Sequence, residues 1–216
     1  MLKPTIHPDQ YMALRQIVHD LINTYQSVND KTTVQTMQAL ATDKIRSTVP
    51  IDDPAMDDLL DFAMDVRLTR AKAESYFESF KDFVIPFEKP STKQVEKAFR
   101  KVKKLKQPNF DELDLREHTY IGWNDPGSQK KYLLFYSEGR LTGLSGNIPS
   151  EVKKNICTIC HKEDNVALFM ATTKTGSEGT YTKRGNYICI DSDKCNRQLT
   201  DRQNLDQFVD HLRPTK

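Results

Sequence analysis

Cys157-Thr158-Ile159-Cys160 and, after a gap of twenty-eight residues, Cys189-Ile190-Asp191-Ser192-Asp193-Lys194-Cys195 contain all four cysteines of the chain. Two close pairs of thiols across a medium gap suit a tetrahedral metal. A pair two residues apart grips one ion from a tight turn, and a second pair brought back by a hairpin closes the shell. The competing chemistry is two disulfides or four free thiols. The opening segment Met1–Pro8 lacks the apolar stretch of a secretory signal, and in a reducing compartment paired cysteines favour metal. Four thiolates around zinc leave no position for water, so such a centre stabilises a fold rather than hydrolysing a substrate. His161, directly after Cys160, is a rival ligand with awkward geometry.

Other reactive constellations are missing. The sequence has no His-Glu-x-x-His, no phosphate-binding Gly-x-x-x-x-Gly-Lys-Ser/Thr, no Gly-x-Ser-x-Gly and no dinucleotide fingerprint. Its histidines, at 7, 19, 118, 161 and 211, are scattered. These absences argue against an enzyme. A net charge of +2 hides an asymmetry: residues 51–66 hold six Asp and no base, and residues 89–106 hold eight bases against Glu96 alone. Charge segregation of this kind points either to a charged partner or to solvated helix faces.

The elements that must position the cysteines follow from periodicity. Residues 1–85 read as an antiparallel helical bundle. Tyr11, Leu14, Val18, Leu21, Ile22 and Tyr25 form one apolar stripe, and Val34, Met37, Ala41 and Ile45 a second. Asp53-Pro54 starts a third helix burying Leu59, Leu60, Ala63 and Val66, and Thr69 caps a fourth with Ala73, Tyr76, Phe77, Phe80 and Val84 inward. Asn29 or Asp30 caps the second. Pro86 and Pro90 bound a linker, 86–90, between this bundle and a second domain, 91–216.

That domain reads as α/β. A basic helix over 91–106 turns Val95, Ala98, Phe99, Val102 and Leu105 towards a sheet of three strands, Thr119–Trp123, Lys131–Ser137 and Leu141–Gly146. Trp123 is expected in the core or at a domain contact. The metal module, about 155–212, adds two strand-like runs, Val166–Met170 and Tyr181–Cys189, joined through Lys174–Gly179. A last helix runs from about Asn196 to Leu212. A turn with two ligands, a hairpin, then a helix start with two ligands is the layout of a treble clef. Five residues between the last two ligands exceed the usual two, so either the first helical turn is irregular or Cys189 still belongs to the strand. Arg184, Tyr187 and Phe208 are candidate binding residues, since Arg and aromatic side chains carry interface energy. Tyr187 and Phe208 are equally suited to fill the finger's small core.

Cys157-Thr-Ile-Cys160-His-Lys-Glu163, Tyr181 to Ser192 and Cys195 to Asp201, with Pro86–Ser91, Phe99–Lys106 and Ile121–Asn124, resemble the FusB-type fusidic acid resistance proteins, also called elongation factor G-binding proteins. The resemblance implies a two-domain α+β fold: a helical bundle, then an α/β domain with a four-cysteine treble-clef-like finger. It implies one structural zinc on Cys157, Cys160, Cys189 and Cys195, and no enzymatic activity. The implied activity is binding to elongation factor G and release of that factor from the ribosome, which protects against the antibiotic. The implied contact residues are Arg184, Tyr187, Phe208 and Ile156, the last standing where relatives carry Phe. A monomer acting in the cytoplasm, with the ribosome as indirect partner, no direct RNA contact and no membrane, completes the expectation. The alternative is a ribosome- or RNA-binding zinc protein, motivated by the basic segment 89–106.

Overall fold

Four helices with short connections build the first unit of the structure, a computed structural model that describes residues 4–50, 54–100, 102, 104–175 and 181–212. They are α1 (Pro8–Ser27), α2 (Lys31–Thr48), α3 (Pro54–Ala63) and α4 (Arg70–Phe80). Asp30 caps α2 through the Thr33 amide and Thr69 caps α4 through the Lys72 amide, each satisfying one orphan N–H of a first turn. The apolar stripes meet in one core around Leu14, Val18, Ile22, Ile45, Leu59 and Phe77. Tyr11 keeps its hydroxyl satisfied there by donating to the Phe77 carbonyl at 3.0 Å. Val66, expected inward, is 56 % exposed. The helix stops at Ala63, a turn follows in which the Leu68 amide reaches the Asp65 carbonyl, and buried Leu68 takes the core position instead. Asp53, the expected cap of α3, lies outside the described residues.

Contacts divide the chain into units of residues 1–85 and 86–216. The second unit is a six-stranded antiparallel sheet with short helices. Its strands are β1 (Ile121–Asp125), β2 (Lys130–Ser137), β3 (Arg140–Asn147), β4 (Lys153–Ile156), β5 (Glu163–Thr175) and β6 (Tyr181–Cys189). β1, β2 and β3 form a meander. β5, the longest strand, touches β3 at Met170, takes β4 along one edge from Glu163 to Val166 and pairs with β6 along the other. β4 has no sequence signal: its four residues are all exposed, so no alternation marks it.

Two expectations about helices are corrected. The basic helix is only α5 (Thr92–Ala98), and the chain leaves helical geometry at Phe99. Continuing it would stack like charges four residues apart, Lys97 with Lys101 and Arg100 with Lys104. Val102 and Leu105 still pack on the same core as Phe99, from a non-helical segment; Lys101 and Lys103 lie outside the described residues. The last helix is two, α6 (Ser192–Gln198) and α7 (Arg202–Leu212), broken where Leu199 turns fully inward and Asp201 accepts from the Gln203 amide to start the second. Phe87, assigned to the linker, is buried in the second unit's core with its amide donating to the Leu115 carbonyl. Trp123 belongs to that core as well, stacked on Tyr132 and donating its indole N–H to the Lys106 carbonyl. The connection after Thr175 lies outside the described residues.

Candidate metal centre

The turn after β4 carries the first two ligands. Cys157 and Cys160 are held by a tight loop in which the His161 amide donates to the Cys157 carbonyl and the Cys157 amide to the Lys162 carbonyl, both at 2.9 Å. His161 adopts the left-handed φ of 55° that closes this loop. Its side chain is exposed, and it is not among the clustered ligands. Cys189 is the last residue of β6, and Cys195 lies in the first turn and a half of α6, whose cap Asp191 accepts from the Lys194 amide. The five-residue gap is thus spanned by a strand end, a short turn and a helix start. Cys189 remains in the strand.

The four sulfurs lie within 4.8 Å of one another, and all four residues are buried. Cys157 Sγ stands 3.8 Å from Cys195 Sγ, and Cys160 Sγ 3.8 Å from Cys189 Sγ. A disulfide needs about 2.05 Å. Zn–S bonds of about 2.3 Å in a tetrahedron put the sulfurs about 3.8 Å apart. The separations therefore fit zinc and exclude disulfide pairing. The donor chemistry agrees: hydrogen bonds from Cys160 and the other neighbouring thiols hold Cys157 far down, while sharing with Cys157 first pushes Cys189 and Cys195 far up. Four sulfurs this close cannot all be anionic without a cation between them.

Around the sulfurs lies a shell that periodicity gives no means of finding. The Ile159 amide at 3.3 Å and the Cys189 amide at 3.4 Å donate to Cys157 Sγ. Tyr120, fully buried, hydrogen-bonds Cys195, and burial first and that sulfur second push its hydroxyl pKa well up. Cys160 Sγ contacts Gln198 Oε1, Gln198 donates to Asp164, and Asp164 accepts Lys194 Nζ at 2.8 Å, which ties the ligand turn to α6. The Lys194 hydrogen bond holds the Asp164 carboxyl below its ordinary range. Asn196 uses its whole amide. Its oxygen accepts the Thr119 and Tyr120 amides, and its nitrogen donates to the Tyr120 and Ser192 carbonyls. Lys131 is completely buried on β2, donating to Asn124 Oδ1 at 3.1 Å and the Ile190 carbonyl at 2.9 Å. Burial lowers its pKa to about 8, opposed by the negative charge of Cys195 and Cys189.

Family profiles match both units. One described as the N-terminal part of elongation factor G-binding protein matches residues 5–88, and one described as the FBP C-terminal treble-clef zinc-finger matches residues 93–213. The chain belongs to the elongation factor G-binding protein family. Among solved structures, that of the fusidic acid resistance protein FusC matches with a TM-score of 0.90 and 37% identity, over 96% of this chain and 97% of that one. A comparison with curated proteins gives no match. As the resemblance implied, this elongation factor G-binding protein carries one treble-clef zinc site of four clustered cysteines.

The expected contact residues fall in different environments. Ile156 is 61 % exposed, a large apolar side chain in water immediately before Cys157. Tyr187 is half-buried, and its carbonyl accepts from the Thr158 amide inside the ligand turn. Arg184 leans on the end of α7, its Nη1 3.4 Å from the His211 carbonyl, where a cation complements the helix dipole. The register from Leu168/Tyr187 to Ala171/Arg184 is unbroken, so alternation sends Tyr187 and Arg184 to opposite faces of β6. Phe208 lies in the core of the finger. It is 2 % exposed and packs on Phe169 at 6.0 Å, because α7 presents it with Leu205, Val209 and Leu212 on one apolar side.

Gly185 lies between them for a steric reason. A Cβ there would sit 1.8 Å from the Phe169 carbonyl oxygen and 2.7 Å from Met170 Sδ. Gly185→Ala is expected to force β6 off β5 and to destabilise the second unit by about 3 kcal/mol, the upper range for overpacking. A lowered urea midpoint with an unchanged slope checks it.

Proposed function

We propose that the chain binds elongation factor G through the zinc-bearing unit, dissociates it from drug-stalled ribosomes and so protects translation against fusidic acid. The full-length match to the fusidic acid resistance protein FusC, at 37% identity with the four-cysteine centre intact, is the observation that carries this reading. The proposed contact surface centres on exposed Ile156 and on Tyr187, which the ligand turn holds together, with Arg184 contributing from the opposite face of β6 beside the end of α7 and Phe208 supporting the finger from its core. The two domains, 1–85 and 91–216, are joined by the linker 86–90, whose Phe87 is buried in the core of the second unit. The protein acts as a monomer in the cytoplasm, with the ribosome as indirect partner; among the described residues no helix is long and apolar enough to cross a membrane.

The mechanism is a shift of population. The drug stabilises one conformation of the factor on the ribosome, and a binder displaces that equilibrium only by its differential affinity for another. A tenfold preference supplies about 1.4 kcal/mol. A rigid surface suffices, and zinc with its hydrogen-bonded shell provides the rigidity.

Calorimetric titration of the purified protein into elongation factor G is expected to show one-to-one binding. Tyr187→Ala or Ile156→Asp should weaken it at least tenfold, a hot-spot loss of more than about 1.4 kcal/mol, with zinc content unchanged. Absence of binding by zinc-replete wild-type protein would overturn the reading.

A further inference from the structure

The second unit carries a basic concavity far in sequence from the zinc ligands. It has a volume of about 470 Å³ and is lined by Gln94, Lys97, Ala98, Arg100, Arg140 and Leu141. Three cations face it, and among the described residues no carboxylate lines it. Lys97, Arg100 and Arg140 are exposed, and none is in an ion pair among the described residues. The neighbouring concavity differs: Glu96 and Asp111 line it, and Lys89 there is tied to Asp111.

The arrangement has identifiable causes. Val95 on α5 and Phe99, the residue just past its end, are both buried. Lys93 and Lys97, four apart on α5, and Arg100, just beyond it, are all exposed. Arg140 comes from a different element, the start of β3. The two elements meet because residue 143 is glycine: a Cβ there would lie 2.7 Å from the Phe99 ring and 2.9 Å from the Ala98 carbonyl. Cations at the end of α5 complement its carbonyls, which accounts for Lys97 and Arg100. It does not account for Arg140, which the close approach of β3 adds to two charges already present. Guanidinium groups stay ionised, and gathering them without a protein counter-charge costs stability that an external anion recovers.

We infer that this concavity is a phosphate-backbone site for structured RNA. Arginine forks match phosphate oxygens in pairs, which favours phosphodiester over scattered carboxylates. Among the described residues the apolar lining is Ala98 and Leu141, with no aromatic ring for a base to stack on, so the site reads backbone and not sequence. The choice of RNA among polyanions rests on the proposed function, since the factor it concerns works on a particle whose surface is largely RNA phosphate. The site lends the protein a second, salt-dependent hold on the ribosome beside its hold on the factor.

The test is anisotropy of a labelled ribosomal RNA hairpin titrated with the full chain at several salt concentrations. Three phosphate contacts predict a slope of log K against log salt of about −2 to −3. The triple variant Lys97→Gln/Arg100→Gln/Arg140→Gln is expected to lose at least tenfold in RNA affinity at about 100 mM salt and most of that slope. A control removing three exposed charges of the helical unit, Lys44→Gln/Arg46→Gln/Lys72→Gln, should change neither. Titration of the triple variant into elongation factor G without RNA is expected to match the wild type, so the two readings fail separately. RNA binding by the triple variant at wild-type strength would overturn the site. So would equal loss in the control, or displacement of RNA by polyglutamate as readily as by unlabelled hairpin, which would indicate an acidic protein partner.

Discussion

Cys157→Ser is expected to strip the protein of zinc and of elongation factor G binding while leaving the helical unit folded. Cys157 is the ligand with most to lose. Its sulfur is one corner of the tetrahedron, 3.8 Å from Cys195, and it also accepts the amides of Ile159 and Cys189. Serine shortens the reach to the metal and replaces a soft thiolate with a hydroxyl that does not ionise at neutral pH. Outer-shell changes already cost about 10- to 100-fold in metal affinity, so loss of a direct ligand should exceed the top of that range. The apolar cluster that includes the four cysteines also holds Phe169, Ile188, Leu205 and Phe208, so loosening it releases α7 and β6 together. The proposed binding residues Ile156, Tyr187 and Arg184 are attached to those parts. The core of the helical unit contains none of these residues. The checks are metal content by atomic absorption, sulfur-to-cobalt charge-transfer bands in cobalt-substituted protein, and titration with the factor. Helical circular dichroism from α1 to α4 should persist through a transition in which the second unit is already lost. One equivalent of zinc with wild-type affinity for the factor in this variant would refute the assignment of zinc as the element that holds the surface.

What was legible beforehand divides along physical lines. Cysteine spacing announces the metal because thiolates have few other reasons to recur in pairs. Asp30 and Thr69 announce their helices because a cap is a local hydrogen bond, settled within three residues. The apolar stripes of α1 and α4 are local in the same sense. The missed features are non-local or break their own local rule. Lys131 sits in a strand whose neighbours Tyr132, Leu133, Leu134 and Phe135 are all buried, and nothing within the strand says that this lysine is buried with them. Only Asn124 and the Ile190 carbonyl, from β1 and the turn after β6, make its burial tolerable. β4 lacks alternation because both of its faces meet solvent, so its place is set by pairing with β5. The break between α6 and α7 follows from Leu199, whose inward turn depends on the zinc-centred cluster and not on helix propensity. Phe208 has the character of a contact residue in sequence and the burial of a core residue in space, since an aromatic on an amphipathic helix serves either end.

Asn196 is where the non-local part of the site should prove most costly to disturb. It is 1 % exposed, follows Cys195 directly, and satisfies two amides and two carbonyls with one side chain. Through the Thr119 and Tyr120 backbone it fixes the entry to β1, and Tyr120 in turn reaches the Cys195 sulfur. Asn196→Ala leaves the Thr119 and Tyr120 amides and the Tyr120 carbonyl buried without this partner. At about 1–3 kcal/mol for each orphaned group, partly relieved by relaxation, the expected loss is roughly 3–5 kcal/mol in the second unit. Asn196→Asp separates the two halves of the interaction. A carboxylate still accepts the two amides, but it cannot donate to the two carbonyls and brings a charge into a buried place beside four thiolates. It should therefore rescue little, and its stability should improve as pH falls towards the point at which the carboxyl takes up a proton. Urea unfolding followed by Trp123 fluorescence reports the second unit, and zinc release to a chromophoric chelator reports the centre. Both variants are expected to release zinc faster than the wild type, because Cys195 loses the neighbour that holds its helix against β1. An alanine variant with wild-type stability and zinc retention would mean that α6 is held by its sulfur ligand alone, and that the hydrogen-bonded shell merely accompanies the metal.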